Sequence, residues 1–361
     1  MSFRTSEWVS VGHPDKVADS ISEYILDKLI ELDPHVRYAL EVQIKGEWVT
    51  LGGEITTSAD VVEGDYQTWA REAVAKIGYT KEYQNKWGKN NTICDKDLMV
   101  VCNISQQSSD ISQGVDSCGW GDQGIFYGYA ENNPSTLYMP KDWFLARQLG
   151  QFLYYNSFSE NVGGLDIKTQ ITLKNEKIYK VIVAIPVLTE FELEEIKSSV
   201  EYWLEVVQQT SCENIIINGT GIYQKHGPIA DCGTTGRKLA VDFYGGNSVI
   251  GGGSPWTKDS TKADLTLNMY ARDIALQKMK YLNEINNEIF CVKTALSCCI
   301  GKETVLVSIK WYDNKENLLG EEHYEERIKP FVLTEKYLLN TPKYFNMCKE
   351  GLFKGISRND L

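Results

Sequence analysis

Val17, Ile21, Ile25 and Leu29 stand four apart, which predicts a helix over residues 15–32 with one apolar face, and Pro14 just before it suits a helix start. The period then changes. Tyr38, Leu40, Val42 and Ile44 alternate with Ala39, Glu41, Gln43 and Lys45, the pattern of a half-buried strand over 36–45. Lys45-Gly46-Glu47 turns it into a second strand, Trp48 to Leu51, and a helix over about 60–77 ends at Gly78. Alternation returns at 167–173, with Ile167, Thr169, Ile171 and Leu173 on one face and Lys168, Gln170 and Thr172 on the other. Residues 178–187 read as its hairpin partner and Glu190 to Gln208 as a helix. Further strands are predicted at 214–218, 236–243, 291–300 and 304–312, and a long helix at 259–281. Hairpins followed by helices indicate an α+β architecture; three strand-strand-helix units are compatible with it, although no sequence repeat stands out.

Composition narrows the class. At 361 residues the chain is long enough for two or three domains, and 42% apolar with 24% charged residues is ordinary globular usage. No run approaches the roughly 18 apolar residues of a membrane span, and Met1-Ser2-Phe3-Arg4 leads into polar sequence without a visible secretory signal, so a cytoplasmic protein without membrane contact is expected. A net charge of −12 argues against nucleic acid as a partner. The nine cysteines are irregularly spaced with no C-x-x-C pair, which favours free thiols over a disulfide or zinc framework. His13, His35, His226 and His323 show no helical ligand spacing, so any metal is expected to be a hard cation held by carboxylates and phosphate.

Candidate chemistry lies where glycine, cations and carboxylates coincide. Gly12-His13-Pro14-Asp15-Lys16 sets an imidazole, a carboxylate and an ammonium at a helix start, where free N–H groups favour anions. Asp231-Cys232-Gly233-Thr234-Thr235-Gly236-Arg237-Lys238 joins backbone-exposing glycines to an Arg-Lys pair suited to phosphate oxygens. Gly251-Gly252-Gly253-Ser254 runs through Lys258 to Lys262 and Asp264 at the start of the long helix, a phosphate-binding device without the Gly-Lys-Ser/Thr of a Walker loop. Each cluster alone also reads as a plain turn with solvated charges. Together they suggest a polyphosphate ligand, with Asp15 and Asp264 available for Mg²⁺.

These motifs resemble, in order, those of S-adenosylmethionine synthetases (methionine adenosyltransferases). The resemblance runs from Thr5-Ser6-Glu7 and Gly12 to Asp19 through Gly52-Gly53-Glu54-Ile55-Thr56-Thr57, Asp110-Ile111 with Gln113-Gly114-Val115, and Gly121-Asp122-Gln123-Gly124. It continues through Gly233 to Lys238, Tyr244-Gly245-Gly246 and Gly251 to Asp264, spanning roughly residues 3–310. It implies three similar strand-strand-helix domains (1–105, 114–223 and 225–361) arranged with pseudo-threefold symmetry, their sheets packing in a dimer interface. It further implies ATP and L-methionine as substrates, and a homodimer, able to pair into a tetramer, with active sites shared between subunits.

By the same resemblance His13, Lys168, Arg237, Lys258 and Lys262 are catalytic, and Asp166, Tyr223, Asp231, Lys238 and Ser254 join them in holding ATP. Glu54, Gln107, Asp122, Asp231 and Lys262 contact methionine; Asp15 and Asp264 hold two Mg²⁺ ions per site, and Glu41 stands beside K⁺. The chain departs from the family pattern at Ile222-Tyr223, where an arginine and a phenylalanine are usual near the adenine. Two alternatives bear on the same residues. An ATP-dependent transferase with another acceptor would lose Glu54 or Gln107, and a non-catalytic regulatory paralogue would lose the charged site residues.

Overall fold

The structure, a computed structural model, describes residues 3–106, 119–285, 288–353 and 356. Three four-stranded sheets organise it. The first has the order β4-β3-β2-β9, formed by Met99–Ser105, Trp48–Thr56, Arg37–Lys45 and Gly233–Thr234. The second is β1-β6-β7-β8, formed by Phe3–Val9, Lys168–Lys174, Lys177–Ala184 and Asn214–Ile217. The third is β12-β11-β10-β5, formed by Leu318–Arg327, Thr304–Tyr312, Cys291–Cys298 and Gly124–Glu131. Each has a central antiparallel hairpin flanked on one side by an antiparallel strand; the other flank is parallel in the first two sheets and antiparallel in the third. The unit thus repeats in backbone topology although the side chains do not repeat in sequence.

The sheets are not contiguous in the chain. β1 pairs with β6 across more than 150 residues, β5 completes the sheet of β10–β12, and β9 reaches back to β2. Helices cover one face of each sheet. α1 (Pro14–Leu32) and α2 (Glu63–Ile77) lie with the first, followed by the short α3 (Lys81–Trp87). α4 (Lys141–Ser159) covers the second, with α5 (Glu190–Tyr202) beyond it, and α7 (Ala263–Asn283) the third. The short α6 (Leu239–Asp242), α8 (Pro330–Lys336) and α9 (Tyr344–Glu350) complete the described helices. None of them is long and apolar enough to cross a membrane.

Local expectations are met where the period is clear. Tyr38, Leu40, Val42 and Ile44 are buried while Glu41, Gln43 and Lys45 are exposed, and the left-handed Gly78 ends α2. The helix expected over 190–208 is regular to Tyr202 and closes in a π-turn, Trp203–Val207. The strand expected at 236–243 is a correction. Gly236 turns the chain at φ +71, and residues 239–242 form the helical turn α6. Buried partners override the local pattern there: Asp19 accepts the Gly236 N–H at 2.9 Å, and Asp242 is bound by Lys16 at 2.8 Å.

Candidate active site

The first cluster grows from the start of α1. His13 is its N-cap, Nδ1 accepting the Asp15 N–H at 3.2 Å, and Pro14 occupies the first turn, where its missing N–H costs nothing. With Nδ1 committed as an acceptor, the neutral ring carries its proton on Nε2. Burial first, then the charges of Lys168 and Lys238, lowers the imidazole to about 3, so it is a neutral donor across the physiological range. Asp15 is buried beside it. Its carboxylate accepts the Thr234 N–H at 3.0 Å and Lys238 Nζ at 2.7 Å, with Arg237 Nε at 3.8 Å. Burial would raise this group, but the Lys238 and Thr234 bonds hold it below the ordinary carboxylate value.

The His13 arrangement has a measurable consequence. Its pKa in the fold lies below the ordinary 6.5, so the folded protein binds fewer protons than the unfolded chain between about pH 3 and 6.5. The stability from keeping the ring neutral is therefore present above 6.5 and is lost as pH falls. In urea unfolding, the stability of wild type relative to His13→Asn should drop by about 1 kcal/mol between pH 6.5 and 5.5. A difference independent of pH would mean that the folded ring takes up protons normally.

Asp166, just before β6, faces the same cluster. Its Oδ2 accepts the Gly227 N–H at 2.9 Å, while Oδ1 is buried with no hydrogen-bond partner. Burial raises it to about 6, against the Gly227 bond and the Lys168 charge. Burial, then the Asp166 charge, pushes the Tyr223 phenol up. Asp231 is exposed, its Oδ1 turned back to the Cys232 N–H at 2.8 Å, and its charge acts on both His13 and Asp166.

A second cluster lies on the next loop. Lys258 Nζ meets Asp264 Oδ2 at 2.5 Å and the Ser254 carbonyl at 3.2 Å. Gly253 passes so close to Asp264 that a Cβ there would collide with the carboxylate. Lys262 is the N-cap of α7. The two loops touch where Gly236 abuts Ser254, so Arg237 and Lys238 are brought beside the loop of Lys258.

Of the remaining candidates, Glu54 and Glu41 lie on the first sheet. An isolated bridge between Ala39 and Lys258 extends a row across the first sheet, Ser105–Glu54–Ala39–Lys258. Glu41, two residues along β2, accepts hydroxyl bonds from Thr235 and, at 3.1 Å, Thr257. Asp122 lies beside β10, its backbone carbonyl accepting the Cys298 thiol at 3.4 Å, and burial pushes that thiol up. Gln107 lies outside the described residues.

What supports both loops is an acidic stripe on α1 that the sequence reading did not single out. Asp15, Asp19 and Glu23, four apart, accept the backbone N–H groups of Thr234, Gly236 and Thr257 in turn, the last at 2.6 Å. One step further, Asp27 accepts the N–H groups of Lys343, Tyr344 and Phe345 at the start of α9. Beneath the stripe Lys16 is buried between Asp19 (3.0 Å) and Asp242 (2.8 Å), 4.7 Å from the centre of the Trp256 ring, whose N–H donates to Asp242. An acid at every fourth helical position ordinarily reads as a solvated face. Here the loops return over it and bury it.

Two abutting loops each set a lysine on a carboxylate, Lys238 on Asp15 and Lys258 on Asp264, the first beside the neutral imidazole of His13, and such an arrangement suits the class of enzymes that act on anionic oligophosphates. Comparison makes the class specific. The family models for the N-terminal, central and C-terminal domains of S-adenosylmethionine synthetase match residues 1–109, 117–223 and 225–358. An S-adenosylmethionine synthase of Mycoplasma capricolum is 37% identical over 294 residues, covering 75% of this chain and 71% of the relative. One from Brachyspira hyodysenteriae is 35% identical over 300 residues, covering 76% and 73%. A solved structure, described as an unusual S-adenosylmethionine synthetase from Campylobacter jejuni, superposes with a TM-score of 0.82 at 27% identity, covering 100% of this chain and 97% of that one. The chain belongs to the S-adenosylmethionine synthetase family, whose members are metal-dependent enzymes that use ATP.

Proposed function

We infer that the protein is a methionine adenosyltransferase, converting ATP, L-methionine and water to S-adenosyl-L-methionine, phosphate and diphosphate. The observation that carries this reading is the pair of loops holding Asp15–Lys238 and Lys258–Asp264. Methionine's thioether is a neutral nucleophile with no proton to lose. Its sulfur lone pair attacks ATP C5′, the C5′–O bond breaks, and its electrons leave with the tripolyphosphate. The barrier lies in the charge of that leaving group, so cations and metal matter more than a general base. Water then cleaves tripolyphosphate to phosphate and diphosphate.

In this reading Lys168, Arg237, Lys238, Lys258 and Lys262 take phosphate oxygens and His13 donates Nε2–H to the leaving group. Asp166, Tyr223, Asp231 and Ser254 line the nucleoside side, while Glu54, Gln107, Asp122, Asp231 and Lys262 receive methionine. No group of three or more His, Cys, Asp or Glu side chains capable of holding a metal occurs among the described residues. Asp15 and Asp264 are hard oxygen donors that fit Mg²⁺ when phosphate completes its shell, two ions per site. A metal held there would supply positive charge to neutralise the phosphates. Glu41 is the carboxylate that would stand beside K⁺ in this reading. Incubation with ATP, Mg²⁺, K⁺ and methionine, followed by mass analysis, tests the function. Absence of S-adenosylmethionine from folded, metal-supplied protein would overturn it.

The active unit is a homodimer. Trp48, Met99 and Val101 expose apolar surface on the outward face of the first sheet, and Ile125 and Leu306 on that of the third, opposite faces that are buried. Apolar surface of this kind on a folded chain marks an interface. Sheet-to-sheet packing there would exceed roughly 2,000 Å², as permanent assemblies do. It would bring Glu54, Gln107 and Asp122 to the ligand held by the partner subunit's loops. Mixing inactive Lys258→Ala with inactive Gln107→Ala subunits should therefore restore sites containing both native residues. No recovered activity in verified heterodimers would refute shared sites.

A further inference from the structure

We propose that Thr257 is a positioning residue for this active site, its hydroxyl locking the loop that carries Lys258 onto Glu41. Thr257 is buried and sits at φ +72, the left-handed region that side chains branched at Cβ avoid most strongly. Among the described residues it is the only β-branched one at positive φ. Its main-chain bonds do not explain the choice. The N–H donates to Glu23 at 2.6 Å and the carbonyl accepts from Leu40 at 3.1 Å, and a glycine would make both without strain. What glycine lacks is the hydroxyl, which donates to Glu41 Oε1 at 3.1 Å.

The geometry at Glu41 shows what that bond does. Thr235, on the loop of Arg237 and Lys238, donates to Oε2 of the same carboxylate. One side chain on β2 therefore ties together both loops that carry the cations, each through a threonine hydroxyl. The next residue after Thr257 is Lys258, whose ammonium lies on Asp264 and whose backbone bridges Ala39 on the same strand. Strain at a residue held by several independent bonds is a recognised means of fixing a neighbouring functional group. The consequence for catalysis rests on the reading of Lys258 as a polyphosphate cation.

Substitution separates the roles. Thr257→Gly removes the strain and keeps every main-chain bond, so a purely conformational role forecasts no loss of activity. The hydroxyl lock instead forecasts a fall in kcat of about tenfold, with KM for methionine within about twofold of wild type. Thr257→Ser should recover most of the loss and Thr257→Val should not. In a Glu41→Ala background Thr257→Gly should have no further effect on kcat. Wild-type kcat in Thr257→Gly, or equal kcat in the Ser and Val variants, would overturn the proposal. Amide hydrogen exchange reads the lock without reference to Lys258 chemistry. Exchange across residues 254–258 should be faster in Thr257→Val than in Thr257→Ser, and equal rates would overturn it. Should Lys258→Ala keep full activity, the polyphosphate reading of Lys258 fails while the exchange difference still decides the lock.

Discussion

Replacing Lys258 by alanine is expected to depress both S-adenosylmethionine formation and tripolyphosphate hydrolysis by about a hundredfold. Loss of one preorganised contact to developing charge in a water-excluded site typically costs roughly 3 kcal/mol. Both half-reactions should suffer because, on the proposed reading, the same ammonium would face the polyphosphate before and after C5′–O cleavage. The fold should survive. Lys258 and its partner Asp264 each keep about a fifth of their side-chain surface exposed, so the carboxylate left behind remains hydrated. Single-turnover formation of S-adenosylmethionine and separate hydrolysis of added tripolyphosphate measure the two effects. Wild-type rates in the first assay would remove Lys258 from the catalytic set.

Lys16→Met should act on the fold instead, lowering unfolding free energy by about 3–5 kcal/mol, the usual cost of stranding buried charge. Burial works against the ammonium, yet Asp242 and Asp19 hold its pKa well above the ordinary value. Removing it leaves two carboxylates facing each other across the space it filled. Burial already raises Asp19 to about 6, and loss of Lys16 raises it further. A raised carboxyl pKa favours the fold at low pH, and that contribution is lost as pH rises through the folded value. The variant should therefore be less destabilised at pH 5 than at pH 7, and adding Asp242→Asn should recover part of the loss. Chemical denaturation of the single and double variants at both pH values reads this directly. Equal destabilisation at the two pH values would show that Asp19 does not titrate there.

Much of this was legible from local pattern. The α1 stripe of Val17, Ile21, Ile25 and Leu29 and the alternation in β2, β6, β10 and β11 reflect burial of a single face, which sequence spacing encodes directly. The cation loops were legible because glycine beside Arg and Lys is a chemical signal. What escaped was set by distant partners. β1 has no turn to announce its pairing, since β6 arrives more than 150 residues later. Residues 239–242 lost their strand reading to the buried pair Lys16–Asp242. Asp19, Glu23 and Asp27 fall off the apolar stripe of α1, where solvent is the ordinary expectation, yet α1 is covered nearly all round. One hint was available: those acids lack the basic residue four places on that a solvated helix face commonly supplies.

The exchange of strands among the three sheets also shapes how the chain can be made. On the ribosome the second sheet first becomes complete when β8 emerges at Ile217, the first only with β9 at Thr234, and the third with β12 at Arg327. The earliest hairpin, β2–β3, must therefore wait through about half of synthesis with the β9 edge of β2 unpaired. An open edge of this kind invites pairing with another nascent chain. Lys45 at the end of β2 is the sort of charge that discourages it. Expressing the matched intervals 1–109, 117–223 and 225–358 as separate polypeptides would leave every sheet one strand short, so the unit of folding is the whole chain.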